Sequence, residues 1–188
     1  MDVQSLEIPE VLVLTPRRFV DSRGYFVEPY NAARLAAAGV KDVFVQDNMS
    51  WSKGAGTLRG LHFQRPPFAQ AKLVTVPRGR ILDVAVDARR GSPTFGRHVT
   101  AELSGDNGQQ IYVPEGFLHG FITLEPDTLV SYKVNAYYSP EADGSVRWDD
   151  PDLAIDWPMT DKVILSPKDA DAPLFAAIDF PFNYHRGD

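Results

Sequence analysis

The feature that most restricts the fold is a rhythm: short runs of β-branched and aromatic residues, broken at close intervals by turn formers. The runs are Val11–Thr15, Gly24–Glu28, Val43–Gln46, Thr57–Phe63, Ala71–Val76, Ile81–Asp87, His98–Leu103, Gln110–Val113, Gly120–Leu124 and Leu129–Val134. Between them stand Pro77-Arg78-Gly79, Arg90-Gly91-Ser92-Pro93 and Ser104-Gly105-Asp106-Asn107-Gly108, residue types that set the backbone angles of tight turns. Many short strands at this spacing bury their apolar sides best as a sandwich or barrel. Helical patterning is confined to Asn31–Ala38 and a short stretch at Lys168–Phe175. From about Ser139 the pattern turns irregular, with Pro140, Pro151, Pro158, Pro167 and Pro173. The expectation is an all-β jelly-roll β-sandwich with short peripheral helices, residues 1–188 forming a single domain whose C-terminal part wraps over the sheets. Strand edges must be paired or covered, so the N-terminal strands are expected to join a second copy in a homodimer.

Composition narrows the class. The chain has 188 residues, enough for a sizeable single core. It is 44% hydrophobic and 23% charged, as soluble globular proteins are. A net charge of -6 argues against a nucleic-acid surface, which needs a basic face. The absence of cysteine removes disulfides and thiolate metal sites. No run reaches the roughly 20 apolar residues of a membrane span. The start, Met1-Asp2-Val3-Gln4-Ser5, lacks the basic and apolar regions of a signal peptide. A cytoplasmic location is expected.

Four histidines occur, and two of them sit among apolar neighbours. His62 lies in Leu58-Arg59-Gly60-Leu61-His62-Phe63-Gln64, and His119 in Val113-Pro114-Glu115-Gly116-Phe117-Leu118-His119-Gly120-Phe121. An enclosed imidazole is either a core residue satisfied by a backbone carbonyl or a base working near neutral pH. Lys72 lies in an otherwise apolar strand. Asp83 and Asp87 share one face of another by the period of two. Tyr132 adds a phenol. Alone, Lys72 could end a strand and Tyr132 fill the core; together, base, ammonium, carboxylate and phenol exceed what a core requires. Arg59 and His62 are three apart, so a regular strand points them to opposite faces. Either Gly60 allows a bulge that brings both to one cavity, or Arg59 acts at the rim. The segment Asp21-Ser22-Arg23-Gly24-Tyr25-Phe26-Val27-Glu28 reads as a solvated hairpin or as a carrier of ligand contacts. Arg23, Arg59 and Lys72 suit a pyrophosphate.

These residues resemble the dTDP-4-dehydrorhamnose 3,5-epimerase family almost from end to end. The likeness is carried by Asp21-Ser22-Arg23-Gly24-Tyr25-Phe26, Gln46-Asp47-Asn48-Met49-Ser50, the two histidine segments above, Tyr137-Tyr138-Ser139-Pro140, Arg147-Trp148-Asp149-Asp150-Pro151 and Leu165-Ser166-Pro167-Lys168-Asp169. The resemblance implies a cupin-type jelly roll, usually dimeric, that uses neither metal nor organic cofactor. It implies a dTDP-linked 4-keto-6-deoxy sugar as substrate, whose ketone acidifies the protons on the adjacent carbons. By the same likeness His62 is the base and Asp169 its orienting partner, with Asp83 a second candidate for that support. Lys72 stabilises the enolate oxygen, and Tyr132 returns a proton from the opposite face. Arg59 and His119 hold the pyrophosphate or sugar. Arg23 and Glu28, with Gln46, Asp47 and Asn48, contact the nucleotide, across a dimer interface in one arrangement. Lys168 matches a binding position. Asp143 stands where the family commonly has Glu, which keeps the charge and shortens the reach.

Three rival readings remain at this level. A metal-dependent cupin would use His62, His119 and Glu115, but such sites usually cluster His-x-His, which is absent here. A 3-epimerase or 3,4-ketoisomerase would act on a related nucleotide sugar. A non-catalytic binding module would have no reason to keep base, ammonium and phenol together.

Overall fold

The computed structural model describes residues 1–184. In chain order it contains β1 (Asp2–Ser5), β2 (Leu12–Thr15), β3 (Arg18–Asp21), β4 (Gly24–Val27), α1 (Ala32–Ala37), β5 (Gln46–Ser52) and β6 (Leu58–Gln64). There follow β7 (Lys72–Arg78), β8 (Arg80–Asp87), β9 (His98–Ser104), β10 (Gln110–Val113), β11 (Phe117–Thr123), β12 (Thr128–Val134), β13 (Asp143–Ser145) and α2 (Pro167–Ala170). One sheet has the order β1-β2-β10-β7-β12-β5 and the other β13-β6-β11-β8-β9, while among the described residues β3 and β4 pair only with each other. Neighbours far apart in sequence, such as β2 beside β10 and β6 beside β11, are the mark of the jelly roll.

Each sheet face has its own cover. Val74, Val76, Ile111, Val113 and Val130 of the first sheet meet Ile81, Ala85, Val99, Leu103, Phe117 and Phe121 of the second in the core between them. The opposite face of the second sheet, with Leu58, Leu61, Phe63, Val84, Val86, Leu118 and Ile122, is covered by Val146, Leu153, Trp157, Phe175, Phe180 and Phe182. The C-terminal segment is therefore a wrap. Its burial of both faces explains why β8 and β11 read as continuous apolar runs, where a half-exposed strand would alternate. On the far side of the first sheet, Leu35 and Val40 of the α1 region pack on Leu14 and Leu73.

Three sequence expectations shift. The strand anticipated at Val43–Gln46 begins instead at Gln46 and runs to Ser52. Here the usual pattern is inverted: Gln46, Asn48 and Ser50 are the less exposed positions, while Met49 and Trp51 are 67% and 56% exposed. Polar residues pointing inward mask a strand from an apolar-in reading. The helix expected at Lys168–Phe175 is only Pro167–Ala170, followed by a separate 3-10 turn at Phe175–Ala177. Pro173 between them has no N–H to continue a helix. Finally, β1 and β3 carry little apolar signal and are largely exposed.

Candidate active site

A bulge in β6 builds one wall of the site. His62 pairs with His119 and Arg59 with Phe121, so three steps along β6 match two along β11. The additional residue is Gly60, at φ +122. A Cβ there would stand 2.6 Å from the Gly120 Cα and 2.8 Å from the His119 carbonyl oxygen, so only glycine fits. The offset turns Arg59 and His62 to the same side. Both line a cavity of about 380 Å³ with Ser50, Lys72, His119, Tyr132 and Asp169. An adjoining lobe of about 200 Å³ shares His62, Lys72 and Tyr132 and adds Gln46, Asn48, Gln64, Gln70, Tyr138, Asp143 and Lys168.

His62 Nε2 lies 2.5 Å from Asp169 Oδ1. The aspartate arrives from α2, where Ser166 caps the helix and its hydroxyl donates to the other carboxylate oxygen at 2.9 Å. Burial pushes the Asp169 carboxyl up, but His62, the Ser166 hydroxyl and Lys168 outweigh it and the net shift is downward. The carboxylate is thus held ionised beside the ring, where its hydrogen bond fixes the orientation of the imidazole.

Lys72 opens β7. Burial lowers its pKa to about 8, against the pull of Asp83 and Asp143 and with the help of Lys168. Tyr132 lies on β12, opposite Asn48 of β5. Burial pushes its phenol up and Arg59 pulls it down, with a net rise, so Tyr132 keeps its proton at neutral pH. His62 stands on one sheet and Tyr132 on the other.

Asp83 does not serve His62. Its oxygens lie 3.0 and 2.9 Å from His119 Nε2. The reason is strand order: β11 stands between β8 and β6, so the aspartate meets the nearer histidine. Asp47 also leaves the cavity, since alternation along β5 turns it outward to Lys133 at 2.6 Å. Arg23 and Glu28 are outside too. Arg23 pairs with Asp21 at 2.6 Å, and Glu28 with Arg34 at 2.7 Å. Gln46 donates to Asn48 at 2.7 Å. The Lys168 ammonium pairs with Asp143, which also accepts from the Tyr138 hydroxyl at 3.2 Å. Ser50, Gln64, Gln70, Tyr138 and Ser166 were not picked out from sequence. Only Ser166 carries a local signal, as an N-cap before proline.

A larger hollow of about 760 Å³ shares no residue with these lobes. Its Arg89 is paired with Asp87 and Glu10, and the Asn135 amide donates to both Asp42 and Glu115. The histidine–aspartate pair, the ammonium and the phenol converge instead in the smaller cavity. Among the described residues no group of three or more His, Cys, Asp or Glu is arranged to hold a metal ion. No helix of the described residues is long and apolar enough to cross a membrane.

A jelly roll that closes around a histidine–aspartate pair, an ammonium and a protonated phenol defines a cupin-type acid–base enzyme. The family model described as dTDP-4-dehydrorhamnose 3,5-epimerase matches residues 5–177. A Sinorhizobium fredii dTDP-4-dehydrorhamnose 3,5-epimerase is 51% identical over 98% of this chain and 94% of its own length. The solved Legionella pneumophila dTDP-6-deoxy-D-glucose-3,5-epimerase, in complex with dTDP-4-keto-L-rhamnose, has TM-score 0.94 and 45% identity, covering 98% of this chain and 99% of that one. A 3'-monoepimerase from Streptomyces bikiniensis in complex with dTDP-quinovose has TM-score 0.85 and 34% identity, covering 92% and 87%. The chain belongs to the dTDP-4-dehydrorhamnose 3,5-epimerase family.

Proposed function

We propose that this chain epimerises dTDP-4-keto-6-deoxyglucose at C3 and C5. The observation that carries the reading is the division of labour between the sheets: His62 on β6 and Tyr132 on β12 line one cavity from opposite walls. His62 removes a proton from the carbon beside the ketone and becomes an imidazolium, held by Asp169. The electron pair moves into the carbonyl, and the Lys72 ammonium stabilises the enolate oxygen where charge develops. Tyr132 then delivers its proton to the other face of that carbon, which inverts the centre. Proton exchange with solvent restores both groups. No step is routed through a metal or organic cofactor.

The smaller lobe, with Gln46, Asn48, Asp143 and Lys168, suits the nucleotide, and Arg59 suits the pyrophosphate. Arg23 and Glu28 enter the same reading through a homodimer. The β3–β4 hairpin pairs with no other strand and exposes Phe19, Val20, Tyr25 and Phe26. A second copy would cover that surface and bring the hairpin's charges over its partner's cavity. The whole of residues 1–188 acts as one domain in this account. A cytoplasmic location is part of it, in keeping with a chain free of cysteine.

The test is incubation with dTDP-4-keto-6-deoxyglucose and a chelator in deuterated water, followed by NMR of the sugar. Deuterium at C3 and C5 with inversion is expected. The likeness to a 3'-monoepimerase keeps a second reading open: exchange at C3 alone would establish it. No exchange at either carbon would overturn both.

A further inference from the structure

His119 lines the same cavity, and the family resemblance leaves it between the pyrophosphate and the sugar. The Asp83–His119 pair supplies the answer. The His119 side chain is 7% exposed and that of Asp83 is 0% exposed. Both carboxylate oxygens converge on a single ring atom, Nε2. A carboxylate accepts and cannot donate, so the hydrogen must sit on Nε2, and the bond fixes the tautomer. A second proton on Nδ1 is opposed by burial first, then by the charges of Lys72 and His62. These outweigh the pull of Asp83 and hold the imidazole below its ordinary range. The ring borders the cavity that also holds Lys72 and Tyr132.

We propose that Asp83 fixes His119 as a neutral imidazole protonated at Nε2, whose bare Nδ1 accepts a hydrogen bond from a hydroxyl group of the bound sugar. This rests on the epimerase reading and deepens it. An acceptor cannot hold a phosphoryl oxygen, which is itself an acceptor, so the pyrophosphate falls to Arg59. Asp83 is then a positioning residue for sugar recognition, and its partner reads the hydroxyl pattern of the ring beside the reacting carbons.

The two histidines consequently hold opposite chemistries in one cavity. His62 needs a lone pair free for a carbon-bound proton and a carboxylate that welcomes the resulting charge. His119 instead stays uncharged beside its carboxylate, because burial of the ring and the neighbouring Lys72 ammonium outweigh the pull of Asp83.

The test uses the full chain with 15N-labelled histidine. In the wild type, NMR should show His119 with a protonated Nε2 and a bare Nδ1 across neutral pH. Asp83→Asn offers an amide N–H to Nε2 and should drive the hydrogen to Nδ1, as carboxylate-to-amide changes beside histidines do elsewhere. Binding is then measured by calorimetry with dTDP, dTDP-glucose and its 2-deoxy and 3-deoxy analogues. Removal of the contacted hydroxyl should weaken wild-type binding about tenfold. Asp83→Asn should lose as much with dTDP-glucose, show no further loss with that analogue, and bind dTDP unchanged.

A protonated Nδ1 in the wild type would overturn the proposal, and this measurement needs no variant to fold. So would an equal loss of dTDP and dTDP-glucose in Asp83→Asn, which would make His119 a pyrophosphate anchor. Failure of the epimerase reading looks different: the wild type would exchange no sugar proton, whatever the tautomer of His119.

Discussion

The cavity holds two histidine–aspartate pairs built from the same side chains and put to different use. In the His62–Asp169 pair the aspartate comes from a four-residue helix in the C-terminal wrap, and the histidine side chain is 31% exposed. In the His119–Asp83 pair both members belong to adjacent strands of one sheet, and both are buried. In the proposed mechanism the partly exposed first pair can exchange protons with water and so complete a catalytic cycle. The second touches the cavity only at the edge of a buried ring, and burial outweighs its carboxylate. A short hydrogen bond to an aspartate therefore does not make a histidine a base; solvent access and neighbouring charge decide what the bond is for.

The largest effect that bears on this contrast is in His62→Ala. Loss of a general base should cut kcat by about 10²–10⁴-fold and abolish deuterium exchange at both carbons. His119→Ala should instead spare exchange and raise KM. If the two variants lost kcat alike, the contrast between the pairs would collapse.

Lys72→Met should come next, at roughly 10²–10³-fold in kcat, the usual cost of one donor to a developing oxyanion. Its titration gives the contrast a pH signature. With the ammonium's pKa lowered to about 8, raising pH through that value removes the charge, and wild-type kcat/KM should fall on the alkaline limb. Lys72→Arg keeps the charge and should shift that limb upward. An unmoved limb would take Lys72 out of the chemistry.

Tyr132→Phe separates abstraction from inversion. Exchange at the first carbon should persist, since His62, Asp169 and Lys72 remain, while inverted product falls by about 10²-fold or more. NMR of recovered sugar distinguishes the two.

The smallest expected change is thermodynamic. The Asp169 carboxyl is depressed in the folded state, chiefly by His62 against its own burial. A depressed carboxyl adds stability above its unfolded pKa of about 4, and that stability is lost as pH falls through the folded value. Asp169→Asn should therefore flatten the acid side of the melting-temperature profile. An Asp83→Asn profile that changed identically would leave the two pairs alike in this respect.

The sequence was most legible where local chemistry decides. The runs Ala71–Val76, Ile81–Asp87 and Leu129–Val134 fall on β7, β8 and β12. Asn31 before α1 accepts from the Arg34 N–H at 3.2 Å, as a cap of that type does. His62, Lys72, Tyr132 and Asp169, which the family resemblance groups together, line one cavity. It was least legible at β5, whose inward side is polar because it lines a site, so the usual sign of burial is reversed. It assigned Asp83 to His62 and Asp47 to the nucleotide, but their partners are His119 and Lys133, set by strand order and by alternation.

What the sequence determined by itself, then, is the stock of strands, the caps, the glycine that permits the bulge and the list of reactive groups, because each depends on residues near one another along the chain. Only the tertiary structure decided which aspartate serves which histidine, which side of β5 faces the cavity and that His62 and Tyr132 stand on opposite sheets. Those choices follow from strands distant in sequence becoming neighbours, and from the burial that sets whether each imidazole can bear a charge.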